Sequence, residues 1–204
     1  CDVCACSSDE PSLLSMTCSR NSVGSTLYDI KPLNLTSIYI TGTQLQEIKS
    51  NVFVLIEDTL EDLDFSNNSI SWIPSFNLPT LYTFKMSHNR ISTLKNNTFR
   101  HFRKVETIDV SNNIITDIEP MAFNGTNSLR ELILDGNIMT VLPKEALRVL
   151  TLTRTMRLAN NRIRMIPENA FLEMKDLQSL FLERNEIGYI HRRAFNVING
   201  SMNY

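Results

Sequence analysis

Beyond residue 18 the chain has no cysteine; Cys1, Cys4, Cys6 and Cys18 all crowd its N-terminal end. No run of 18 or more apolar residues occurs, so no segment is long and apolar enough for a membrane-spanning helix. No strong charge of one sign is present either. The formal net charge is -2 and the pI is about 6.0, which gives no reason to expect nucleic acid or an anionic membrane as a partner. Catalytic signatures are missing. The histidines at 88, 101 and 191 are scattered, and no G-x-S-x-G, H-E-x-x-H or phosphate-loop pattern occurs. No cysteine outside the N-terminal group is available as a nucleophile. Glu61, Asp62 and Asp64 cluster, but without the glycine-containing loop of a dedicated calcium site. These absences lead us to expect a non-enzymatic chain with no metal and no cofactor. Neither a signal peptide nor an initiator methionine is present, and a start at Cys1 reads as a mature or trimmed product.

What the chain does have is a repeat. Leu129-Arg130-Glu131-Leu132-Ile133-Leu134-Asp135-Gly136-Asn137 reads L-x-x-L-x-L-x-x-N. Seven copies begin at Leu35, Leu60, Leu81, Val105, Leu129, Thr153 and Leu177, at intervals of 25, 21, 24, 24, 24 and 24 residues. A fixed period in the twenties with this internal pattern is the signature of leucine-rich repeats. Each unit of such an array buries its apolar face only against its neighbours. The expected fold class is α/β: a right-handed solenoid, or horseshoe, with a parallel concave sheet and an irregular or 3-10 convex side. Residues 1–34 are expected to form an N-terminal cap, 35–195 the seven repeats, and 196–204 a tail without a C-terminal cap. The end of the array leaves apolar positions around Leu182, Ile190, Phe195 and Ile198. Either the chain is a fragment of something longer, the favoured reading, or a partner covers that end through association.

Periodic columns assign roles within each unit. The strand is expected at about the third to fifth positions, around Leu132-Ile133-Leu134, with the two leucines inward and the residue between them on the concave side. The copies from the second onward end in Asn68, Asn89, Asn113, Asn137, Asn161 and Asn185, while the first has Thr43 there. An amide both donates and accepts, so a column of them suits a buried ladder where the backbone leaves the strand. Phe53, Phe99, Phe123, Leu147, Phe171 and Phe195 form a second column, read as core spine rather than ligand groove. Repeat two is short and carries Pro74 and Pro79, which predicts an extended convex segment with Phe76 or Leu78 filling the spine.

The four cysteines suggest a local disulfide module, hence an oxidising compartment, and allow three connectivities. Zinc is the rival reading, since Cys1 and Cys4 have C-x2-C spacing, but no second ligand pair completes a tetrahedral set. Sequons at Asn34, Asn67, Asn96, Asn124 and Asn199 add support for an extracellular glycoprotein. A cysteine cluster followed by 24-residue repeats resembles the N-terminal cap and typical repeats of extracellular leucine-rich-repeat proteins, a group that includes Toll-like receptors, Slit, the Nogo receptor, small proteoglycans and variable lymphocyte receptors. The resemblance covers nearly the whole chain. It implies the pairing Cys1–Cys6 and Cys4–Cys18, and a receptor ectodomain or a secreted adhesion or immune-recognition protein, any membrane attachment coming from a segment absent from this chain. The spacing of Cys6 and Cys18 is longer than in several members, so no subfamily is assigned.

The concave columns are the candidate ligand-binding surface. Between the two core positions lie Tyr39, Asp64, Lys85, Asp109, Ile133, Arg157 and Phe181, flanked by Asp62, Tyr82, Arg130 and Arg154. Glu61, Asp62 and Asp64 suggest an acidic patch, and Arg130, Arg154 and Arg157 a basic one; separated signs can orient a ligand. Tyr39, Tyr82, Ile133 and Phe181 are the candidate apolar anchors. A glycan on Asn67 would shield the acidic end and shift contact toward repeats three to seven. The expected partner is a protein or glycoconjugate, not nucleic acid. The alternative is a matrix-structural or glycosaminoglycan-binding protein that uses the three arginines.

Overall fold

Every copy of the repeat buries its first apolar residue and then becomes extended, and those extended stretches stack. The computed structural model describes residues 5–10, 13–18, 26–27 and 35–196. One nine-stranded sheet runs through it in the order Ala5–Glu10, Leu13–Cys18, Leu35–Ile40, Asp62–Asp64, Thr83–Lys85, Thr107–Asp109, Glu131–Ile133, Thr155–Arg157 and Ser179–Phe181. The first pair is antiparallel and all later neighbours are parallel. The result is a solenoid of about seven turns.

From the second copy onward the strands fall on the third to fifth positions, Glu131–Ile133 rather than Leu132–Leu134, while in the first copy the strand Leu35–Ile40 spans positions one to six. Leu134 nonetheless extends the ladder, its N–H donating to the Arg157 carbonyl at 2.8 Å. Alternation follows the pleat. Ile38, Leu63, Phe84, Ile108, Leu132 and Met156 are fully buried, as are the second inward residues, such as Leu134 and Leu158.

The asparagine column is a hydrogen-bonded ladder. Asn113 Nδ2 donates to the carbonyls of Met86 in the preceding repeat and Val110 in its own, both at 3.0 Å, while its Oδ1 accepts the Ile91 N–H at 3.0 Å. Asn89, Asn137, Asn161 and Asn185 repeat the arrangement. At the first repeat Thr43 ends the column: its N–H and hydroxyl both donate to Asn68 Oδ1. No buried side-chain nitrogen or oxygen among the described residues lacks a partner, as a water-free core requires.

The turn that feeds each ladder residue is left-handed. Asn67, His88, Asn112, Asn160 and Arg184 have φ between 52 and 58°, and Gly136 has 67°. Asn and Gly suit this conformation, whereas His88 and Arg184 adopt it at a cost on the order of 1 kcal/mol. Gly136 has a second constraint, because a Cβ there would lie 2.4 Å from Asn112 Oδ1.

On the convex side the phenylalanine column is core. Phe99 stacks on Phe123 at 5.6 Å and Phe171 on Phe195 at 5.7 Å. Phe76 takes the spine position in repeat two, edge-on to Phe53 at 5.1 Å, and Leu78 is buried too. Residues 70–78 there form no helix, strand or turn. Elsewhere the convex chain is a series of turns with three-residue hydrogen-bond closures, such as Phe102 N–H to Phe99 O at 3.0 Å. The helix among the described residues is the single turn Lys144–Leu147.

At the N-terminal side, Leu13–Cys18 lies against Leu35–Ile40 and adds Met16 and Cys18 to the core. Cys18 is disulfide-bonded. Cys1, Cys4, the side chain of Cys6, Asn34, Ile198 and Asn199 lie outside the described residues, and with them the expected pairing. Near the last repeat, Ile190 is exposed while Leu182 and Phe195 are half-buried.

Candidate functional site

Strand register turns one sequence column into one physical row. Tyr39 pairs with Asp64, Asp64 with Lys85, Lys85 with Asp109, Asp109 with Ile133, Ile133 with Arg157, and Arg157 with Phe181. At about 4.8 Å per strand the row crosses roughly 30 Å of sheet. Its members are half-buried or exposed, while their strand neighbours are buried in every repeat but the last, where Leu180 and Leu182 are half-buried, so they share the concave face. Asp62 lies on the parallel row two residues earlier. Tyr82, Arg130 and Arg154, exposed, occupy the edge where the strands begin.

The best-fixed part of the face centres on Arg157. Its Nε donates to Asp135 Oδ2 at 2.7 Å, and its guanidinium carbon lies 4.6 Å from the Phe181 ring centroid. Asp135 is held in turn: its other oxygen accepts the Ala159 N–H at 2.7 Å. The hydrogen bond to Asp135 raises the Arg157 pKa above the ordinary arginine value, and the fields of Asp135, Glu183 and Glu131 add to the rise against the opposing effect of burial. A raised arginine pKa keeps this guanidinium charged at every pH below the ordinary arginine range. With Ile133 one strand away, the site offers an aromatic ring, an aliphatic side chain and a guanidinium whose orientation is fixed before a ligand arrives.

The expected charge pattern changes once the pairs are seen. Arg157 is committed to Asp135, and Arg130 lies 3.5 Å from Glu106. Of the three arginines, Arg154 is left without a side-chain partner, so the basic patch is largely neutralised within the protein. In the N-terminal half, Asp64 and Asp109 each accept the N–H two residues on, from Ser66 at 2.8 Å and Ser111 at 2.9 Å. That turns both carboxylates toward the backbone. Lys85, between them in the row, therefore makes no ion pair with either and is exposed. Asp62 accepts the Ser37 hydroxyl at 3.3 Å, and Lys104 lies 5.9 Å from the centre of the Tyr82 ring.

Asp135, Glu106 and Lys104 were missed as partners by a reading of single columns. The signal lay in the offset: Asp135 precedes Arg157 by 22 residues, two positions askew in adjacent repeats, and Glu186 follows Arg164 by the same interval with a contact at 3.3 Å. Among the sequons, Asn67 and Asn96 are exposed and Asn124 is half-buried, with its Nδ2 donating to Asn97 Oδ1 at 3.3 Å. The described residues contain no group of three or more His, Cys, Asp or Glu arranged to hold a metal ion.

No curated protein sequence matches the chain significantly. Among solved structures it is similar to Toll-like receptor 13, in its complex with a single-stranded RNA, with a TM-score of 0.77 and 23% identity over 80% of this chain. The match covers 24% of the receptor chain, so the present chain spans about a quarter of that protein and the likeness concerns the fold. The leucine-rich-repeat profiles match residues 59–81, 79–139 and 151–199, more than half of the sequence, with the period, the asparagine ladder and the parallel sheet in agreement; the chain belongs to the leucine-rich-repeat family.

Proposed function

We propose that the chain is an extracellular, non-enzymatic recognition module, part of a receptor ectodomain or of a secreted adhesion or immune-recognition protein, and that it binds a protein ligand on the concave face. The observation that carries this reading is the row Ile133, Arg157 and Phe181. Large apolar and aromatic groups stand there half-exposed on an open sheet, beside an arginine fixed by Asp135. Such groups dominate protein interfaces, and holding them in place beforehand lowers the cost of binding. The N-terminal cysteine cluster and the exposed Asn67 and Asn96 sequons support the extracellular assignment. Residues 1–34 act as the cap of the array in this reading.

The test compares capture from conditioned medium by the immobilised chain, by the variant Tyr82→Ala/Arg157→Glu, and by Arg192→Glu on the convex side. Proteins retained by the wild type and Arg192→Glu but lost with the concave variant are the expected result. Capture that survives the concave changes and disappears with Arg192→Glu would place binding on the opposite surface and overturn the reading.

A further inference from the structure

The concave face carries more carboxylates than cations, and ion pairs take up two of its arginines. Arg157 and Arg130 are paired to Asp135 and Glu106. Among the described residues Lys85 and Arg154 make no ion pair. Against them stand Glu61, Glu131 and Glu183, which make no side-chain hydrogen bond within the described residues although the last two act on Arg157 through their fields, and Asp62, which accepts a serine hydroxyl. Asp64 and Asp109 add two further charges, held in place by backbone N–H donors. Even with Lys104 and Arg184 at the rims, carboxylates outnumber cations on this face. The excess is spread along the strands instead of forming one cluster: Glu61, Asp62 and Asp64 in repeat two, Asp109 in repeat four, Glu131 in repeat five and Glu183 in repeat seven.

From this distribution we infer that the occupant of the concave face is a cationic polypeptide segment, with lysine or arginine side chains over repeats two to five and an apolar side chain on Ile133 and Phe181. The inference rests on the concave reading above and narrows it. Two polyanionic classes are disfavoured by the same field: a glycosaminoglycan and a single-stranded nucleic acid both bring closely spaced negative charge and need a surplus of free cations to release their counterions. The RNA seen with Toll-like receptor 13 would meet here a surface of its own sign. A basic peptide gains twice, since long-range attraction speeds its encounter and the fixed apolar patch sets its register.

The experiment selects peptides from a random display library on the full chain, then measures their affinity for the wild type, for Glu61→Lys/Glu131→Lys, for Phe181→Ala, and for the convex control Glu145→Lys. Neither Glu61 nor Glu131 makes a side-chain hydrogen bond, so the double variant is expected to melt like the wild type. The expected outcome is enrichment of positively charged peptides whose affinity falls with added salt. It should also fall by about tenfold or more in the double variant and several-fold in Phe181→Ala, with Glu145→Lys unchanged. Enrichment of neutral or acidic peptides that still lose affinity in Phe181→Ala would overturn the cationic assignment and leave the concave face standing. Peptides that ignore all concave substitutions but are lost with Glu145→Lys would overturn both. Direct binding of heparin or single-stranded RNA, abolished by Arg154→Glu, would also overturn the inference.

Discussion

At the scale of single residues, the six ladder asparagines show how a repeat makes one side chain indispensable. Asn113 is 5% exposed and bonds to four backbone groups, two of them in the preceding repeat. Replacing it with Ala leaves the Ile91 N–H buried without a partner and halves the side-chain donors to the Met86 and Val110 carbonyls, which keep Asn89 and Asn137. The expected cost is about 1–3 kcal/mol, because a stranded buried polar group is expensive. Its exposed neighbour, Asn112 at φ 52°, should accept Gly with little loss. Thermal and denaturant melts of Asn113→Ala and Asn112→Gly measure the contrast, and equal stability of the two would remove the ladder from the account. The role of the asparagines was legible in the sequence because every copy from the second onward has the same residue at the same place. Asp64 and Asp109 were not legible in the same way. Both sit in the variable row and look like free ligand groups, yet each accepts an N–H two residues along its own chain. A carboxylate followed two positions later by Ser is common to many contexts, so the sequence does not separate a charge used for binding from one turned toward the backbone.

At the scale of elements, regular spacing made the phenylalanine spine readable and chain geometry decided the exceptions. Phe99 is fully buried, stacked on Phe123 and 5.8 Å from Phe84 across the core. It therefore links the convex turn of repeat three both to the next repeat and to its own strand. Phe99→Ala is expected to cost about 3–5 kcal/mol, the loss of a large aromatic plus an unfilled cavity. Phe99→Leu, which keeps most of the volume, should cost about 1–2 kcal/mol. Chemical denaturation with unchanged slope would give both values, and a Phe99→Ala cost below about 1 kcal/mol would mean that the column is not the spine. The short repeat two shows what two prolines do to the same element. It replaces the turns of its neighbours with a path over 70–78 that is neither helix, strand nor turn, and Phe76 reaches Phe53 from a different sequence position. Pro74 and Pro79 announced a convex segment without helix; which of Phe76 and Leu78 would fill the spine depended on packing, and both are buried. From the second repeat onward the strand boundaries were legible to within one residue, while the first strand, Leu35–Ile40, starts two residues early; side-chain alternation fixes which residues face the core but not where the ladder ends.

At the scale of the whole molecule, an array in which each repeat touches its neighbours should transmit damage only over a short distance. The bonds themselves say how far. Asn113 spans from repeat three to repeat four, Asn137 from four to five, and no described side-chain hydrogen bond reaches beyond the adjacent repeat. Charge behaves differently. Arg157 is influenced by Glu131 and Glu183 from the strands on either side, and the concave carboxylates act together over the entire row. Stability is thus built from nearest-neighbour terms, whereas the field that meets a ligand is summed over the array. A single experiment separates the two. Amide exchange on Phe99→Ala should show lost protection in repeats two to four, around Phe65, Phe84 and Val110, while Leu158 and Ile163 in repeat six exchange as in the wild type. Glu131→Lys, lying in repeat five with no side-chain hydrogen bond, should leave exchange unchanged throughout and still alter the salt dependence of ligand association. Uniform loss of protection in Phe99→Ala, extending to repeat six, would show that the solenoid unfolds as one cooperative unit, and the nearest-neighbour picture of its stability would have to be abandoned.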